Sequence, residues 1–144
     1  MRLALEQAEA AGSRDEVPVG AVIIDAGGAV VARCGNGPVA RGDATAHAEI
    51  LAIREAGEKT GNYRLVGCTL YVTLEPCTMC AGAIANARLV RAVYGAPDVK
   101  GGAVDNGVRF FEQAACHHRP EVTGGVLAAE SAFMLKTFFA TRRG

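Results

Sequence analysis

Hydrophobic positions along this chain change period several times, and each change marks an element. Ala4, Ala8 and Ala11 recur at helical spacing over residues 3–12, and Gly12 ends that run. Apolar runs at residues 20–25 and 29–32 flank Gly27-Gly28, the pattern of a hairpin. Residues 36–43 contain Gly37, Pro38 and Gly42 and predict a loop. A helix is predicted over residues 46–60, capped by Thr45 or Asp43, with Ile50, Ile53 and Gly57 on its inner face. Residues 70–74 are rich in β-formers. A further helix is predicted from just after Pro76 to about Ala87, then a strand over 89–94. Residues 95–125 are glycine-rich and read as irregular, with a short helix near 108–114. A last helix over 126–141 is expected to bury Leu127, Met134 and Phe138. With no repeat and no linker, this alternation implies one α/β domain over residues 1–144, a mixed sheet between helix layers.

Composition narrows the function classes. Half the residues are hydrophobic and 21% are charged, the balance of a packed globular chain. No run approaches the ~20 apolar residues of a membrane span. The opening Met1-Arg2-Leu3-Ala4-Leu5-Glu6 meets an acid too early for a secretory signal. Five cysteines, two of them in a metal spacing, argue against a disulfide framework and predict a reduced, cytoplasmic protein. Fifteen basic residues balance fifteen acidic ones, so net charge does not mark a nucleic-acid binder. A local cluster remains: Lys136, Arg142 and Arg143 surround Phe138 and Phe139. By composition alone that cluster reads as a helix end whose cations suit its dipole.

The chemistry sits in two short runs, Thr45-Ala46-His47-Ala48-Glu49 and Glu75-Pro76-Cys77-Thr78-Met79-Cys80. One imidazole and two thiols suit Zn²⁺ and leave a fourth tetrahedral position for water. Pro76 is expected in the first helical turn, so that Cys77 and Cys80 lie one turn apart at a helix start that favours thiolate. Residues two apart on a helix diverge, so His47 and Glu49 can share a site only beyond the helix end. Glu49 is then free to move protons, a task that metal binding does not give it. The alternative is a closed structural site, its fourth ligand drawn from Cys34, Cys68, Cys116, His117 or His118. None of these has the short-range pairing of a zinc finger or ribbon.

His-x-Glu followed by Pro-Cys-x-x-Cys is a known signature of zinc deaminases. The longer run from Leu70 to Ile84, centred on Leu74-Glu75-Pro76-Cys77-Thr78-Met79-Cys80, closely resembles the bacterial tRNA-specific adenosine deaminases. Glu16 to Val22, Thr45 to Ile50, Asn62 to Leu65, Phe138-Phe139 and Arg142-Arg143 extend the resemblance over nearly the whole chain. It implies a three-layer α/β/α cytidine-deaminase-like fold with a mixed five-stranded sheet. It implies one Zn²⁺ per subunit on His47, Cys77 and Cys80, with Glu49 as catalytic proton shuttle. Asn36 resembles the asparagine that hydrogen-bonds the flipped nucleoside, Ala48 would offer backbone contacts to the base, and Val19 a pocket wall. Asp98 matches a loop against neighbouring anticodon nucleotides, and Phe139 and Arg142 match an RNA-facing helix end. The reaction implied is conversion of the wobble adenosine of a tRNA anticodon stem-loop to inosine, by a homodimer. The alternative is a deaminase of free guanine, cytosine, adenine or a nucleoside, which would share every metal and proton-shuttle residue. The chain departs from the family pattern in three places: Ala44 replaces a proline, His117 replaces an asparagine, and the stretch after Lys100 reads Gly101-Gly102-Ala103-Val104-Asp105-Asn106. Asp105 is expected to add an acid near the RNA face.

Overall fold

The computed structural model describes residues 1–143, Arg143 through its backbone only; the Arg143 side chain of the basic cluster lies outside the described residues. The elements run α1 (Arg2–Ser13), β1 (Gly20–Ile24), β2 (Val30–Gly35), α2 (Pro38–Arg41), α3 (Ala48–Thr60), β3 (Thr69–Leu74), α4 (Thr78–Asn86), β4 (Arg91–Ala96), β5 (Glu121–Thr123) and α5 (Ala128–Arg143). A 3₁₀ turn at Phe110–Glu112 stands where the short helix was expected.

Five strands form one mixed sheet in the order β2-β1-β3-β4-β5. β1 pairs antiparallel with β2 and β3, while β3, β4 and β5 run parallel. Parallel neighbours need a crossover, and α4 supplies it between β3 and β4. Helices α1 and α5 contact each other and the sheet on one side; α3 and α4 contact each other on the other. This is the expected three-layer α/β/α arrangement. Alternation along β1 and β3 sends Ala21, Ile23, Leu70 and Val72 into the core beneath α3. On the opposite face α1 presses its alanines so close that a Cβ at Gly20 would fall 2.0 Å from the Ala4 carbonyl oxygen.

Several local expectations are corrected. α3 turns Ala48, Leu51, Ala52 and Ala56 to the sheet, and leaves Ile50, Ile53 and Gly57 only half-buried. The small residues win that face because they let the helix backbone approach the strands closely. Neither Thr45 nor Asp43 caps α3. The N-cap is His47, while Asp43 accepts the Thr45 amide and hydroxyl in a local turn. Pro76 lies outside α4, which begins at Thr78 with Cys77 as N-cap. The stretch expected as loop contains α2, whose first residue is Pro38, the position where a missing N–H costs least. The region expected as irregular supplies β5, only three residues long. The strand expected over 89–94 is Arg91–Ala96. On α5 the buried position is Ser131, whose hydroxyl donates to the Thr73 carbonyl. Leu127 precedes that helix, and Leu127, Met134 and Phe138 are half-buried. No helix among the described residues is long and apolar enough to cross a membrane.

Candidate metal centre and its cleft

Two helix starts meet at the site. His47 and Cys77 are the N-caps of α3 and α4, both with extended backbone, and Cys80 sits in the first turn of α4. His47 Nδ1 lies 3.6 Å from Cys77 Sγ and 3.5 Å from Cys80 Sγ. All three donor atoms fall within 4.8 Å of one another. Zinc with sulfur at about 2.3 Å and nitrogen at about 2.0 Å spaces such donors by about 3.6 Å in a tetrahedron, so the trio fits the ion. Among the described residues no other trio of His, Cys, Asp or Glu gathers so closely. The candidate fourth ligands stay outside it. The Cys34 thiol bonds Glu55, the Cys116 thiol donates to the His118 carbonyl, and His118 Nε2 donates to the Leu89 carbonyl at 2.7 Å. Among the described residues the trio thus gathers no fourth protein ligand, the donor set of a catalytic zinc site.

The electrostatics agree. A hydrogen bond from the Cys80 thiol, then the Cys80 amide and His47, hold the Cys77 thiol down to about 5 against its burial. Cys80 is pushed the other way, because it keeps the proton the pair shares and is buried. A bound dication would take that proton's place. Glu49, the second residue of α3, is 4% exposed. Burial, with the nearby Cys77 thiolate, pushes its carboxyl up to about 7, where it can both take and give a proton near neutrality. His47 stands just outside α3 and Glu49 just inside, which resolves the divergence of residues two apart.

A cleft of about 380 Å³ opens above the trio, and Val19, Asn36, His47, Glu49, Cys77 and Asp98 line it together. Asn36 Oδ1 accepts the Ala48 N–H at 2.8 Å, so that amide is already engaged. Phe139 and Arg142 lie outside the cleft lining. Phe139 is 42% exposed on α5, and Arg142 stacks on Phe138 and pairs with Asp15, two residues from the cleft-lining Val17. Asp105 turns its carboxylate to the Tyr94 hydroxyl.

Two functional positions escaped sequence reasoning. Glu16, 1% exposed, accepts the Val39 and Ala40 amides at 3.0 and 2.8 Å and so fixes the first turn of α2, just after Asn36. Glu75, 2% exposed, does the same for the loop of Asp98. For Glu75 the one signal is an acid set directly in an apolar run, Leu74-Glu75-Pro76, whereas Glu16 follows Arg14 and Asp15 and carries no such signal.

Residues 1–96 match the cytidine and deoxycytidylate deaminase zinc-binding region. The chain belongs to this family of zinc-dependent deaminases, and His47, Cys77 and Cys80 are its zinc site. Within the family it is similar to the tRNA-specific adenosine deaminases of Agrobacterium fabrum, 57% identical over 99% of this chain and 93% of that one, and Haemophilus influenzae, 49% identical over 99% and 83%. A structure from a study of A-to-I editing by tRNA:A34 deaminases superposes with TM-score 0.92 at 58% identity, over 94% of this chain and 97% of that one. The guanine deaminase of Nitrosomonas europaea superposes with TM-score 0.76 at 26% identity, over 95% of this chain and 81% of that one.

Proposed function

We propose that this chain hydrolytically deaminates the wobble adenosine of a tRNA anticodon to inosine, acting in the cytoplasm as a homodimer. The observation that carries the reading is the open His47–Cys77–Cys80 trio with Glu49 buried beside it, in a chain 57% identical to a tRNA-specific adenosine deaminase. Zinc held by the trio supplies a Lewis acid that activates water at neutral pH. Glu49 takes the proton of the attacking water, hands it to the purine ring nitrogen, and passes the second to the departing amine. Adenosine and water thus become inosine and ammonia, with no redox partner needed.

Asn36 holds the flipped base, and the Ala48 amide that bonds its Oδ1 sets its angle. Val19 forms a wall of the pocket. Asp98 from its loop, and Phe139 and Arg142 from α5, hold the splayed neighbours by stacking and charge. A loop base is already poorly stacked, so extruding it costs at most a few kcal/mol. The dimer would use the α3–α4 face, where Ile50, Ile53 and Tyr63 line an open apolar groove.

The test is inosine formation on an anticodon stem-loop carrying a wobble adenosine, with free adenosine, guanine and cytidine in parallel and the oligomer mass measured on the same sample. Turnover of the stem-loop alone is expected. Turnover of a free base alone would keep the zinc chemistry and replace the substrate.

A further inference from the structure

Glu75 does not enter the chemistry above, yet it makes the densest set of hydrogen bonds in the cleft wall. It directly follows β3, two residues before Cys77, and its carboxylate is buried. Oε1 accepts the Asp98 amide at 3.0 Å and Asn106 Nδ2 at 2.7 Å. Oε2 accepts the amides of Val104, Asp105 and Asn106 at 3.1, 2.9 and 3.0 Å. One side chain thus satisfies both ends of the loop between Asp98 and Asn106. The loop fits around it closely: a Cβ at Gly102 would lie 2.5 Å from the Glu75 carboxyl carbon. Within the loop, Gly102 N–H donates to the Asp98 carbonyl at 2.9 Å, and Asp98 Oδ1 accepts the Lys100 and Gly101 amides at 3.2 and 2.9 Å. Asp98 is therefore fixed through its own N–H by Glu75, through its carbonyl by Gly102, and through its carboxylate by the turn.

We propose that Glu75, clamped by Asn106, is a positioning residue that sets the Asp98 loop against the RNA and so governs affinity for the anticodon loop. The proposal rests on the reading of function above. It also gives a task to one departure in this chain: Asn106 supplies the side-chain amide that completes the clamp. An amide in place of the carboxylate turns one acceptor into a donor aimed at N–H groups, so Glu75→Gln releases one end of the loop. Asn106→Ala removes a single side-chain bond at a half-buried position and leaves the four amide contacts in place.

Both variants are compared with the zinc-loaded wild type for zinc content, steady-state kinetics on the stem-loop, and amide hydrogen exchange over residues 98–106. The expected result is one zinc per chain, faster exchange confined to that loop, and KM raised about tenfold by Glu75→Gln and less by Asn106→Ala, with kcat little changed. Combining Glu75→Gln with Asp98→Ala should raise KM by less than the product of the single effects, because both act through one loop. An unchanged KM, a fall in kcat alone, or fully multiplicative effects would overturn the proposal. If Glu75→Gln does not fold, Asn106→Ala decides by the same criteria. Failure of the wild type itself on the stem-loop would sink the reading of function and this role with it. A working wild type with an indifferent Asn106→Ala and Glu75→Gln sinks only the clamp.

Discussion

The floor of the cleft and its rim are built by different means. The floor stands on two helix N-termini, with His47, Glu49, Cys77 and Cys80 all within three residues of a helix start. Helix starts favour anions, so thiolates and a developing negative charge are stabilised there. The rim is made of the segments that carry Asn36 and Asp98, and one helix end, that of α5, stands outside the cleft lining. Its Asn36 and Asp98 segments are held from beneath by the buried carboxylates of Glu16 and Glu75, which accept their backbone amides. The difference teaches a division of labour. A fixed floor serves one reaction, while a rim hung on carboxylate clamps is open to reshaping by a few substitutions.

The largest effect should come from breaking the floor without unseating the ion. Glu49→Gln should lower kcat by about 10²–10⁴-fold, the span of a lost proton-transfer group, with zinc stoichiometry unchanged. Metal analysis beside single-turnover kinetics checks this, and full activity in that variant would remove Glu49 from the chemistry. Chelation, by contrast, should abolish activity and lower the melting temperature together.

Rim substitutions should act on binding. Phe139→Ala, which removes a half-exposed ring, should cost about 1–3 kcal/mol of affinity if that ring stacks on a base, read as a rise in KM for the stem-loop. Arg142→Ala should weaken binding and flatten its dependence on salt. A drop in kcat with KM untouched would erase the distinction between floor and rim at these positions. On the opposite wall, Glu16→Ala leaves two backbone N–H groups without their acceptor. It should lower stability by about 1–3 kcal/mol, measured by denaturant unfolding of the zinc-loaded protein.

The smallest effect concerns a thiol outside the floor. Burial, then the Glu55 hydrogen bond and charge, push Cys34 up to about 12, so it should resist alkylation at pH 8. Glu55→Gln removes the Glu55 contribution, which moves the thiol down and raises its thiolate fraction at fixed pH. Cys34 should then label faster than in the wild type at the same pH. Unchanged labelling would mean that burial alone protects it.

The same contrast explains what the sequence made legible. The floor could be read because its ligands fall in two short runs whose spacing is itself the chemistry. The helices and long strands followed from periodicity, yet the inner face of α3 did not. Counting hydrophobicity favours Ile50 and Ile53, whereas close helix–sheet approach selects Ala48, Ala52 and Ala56. β5 escaped because three residues are too few to show a period. The clamps escaped for a different reason. Glu16 bonds backbone 23 and 24 residues away, and Glu75 bonds backbone 23 to 31 residues away, so their partners are amides that every residue carries. No spacing of side chains records such a contact.

The most direct test of the account is where inosine forms when the zinc-loaded protein meets an intact tRNA with adenosine at the wobble position and at other loop positions. A floor that deaminates and a rim that selects predict inosine at the first anticodon position alone. Inosine spread over the other loop adenosines, or none at all while free guanine is consumed, would contradict it.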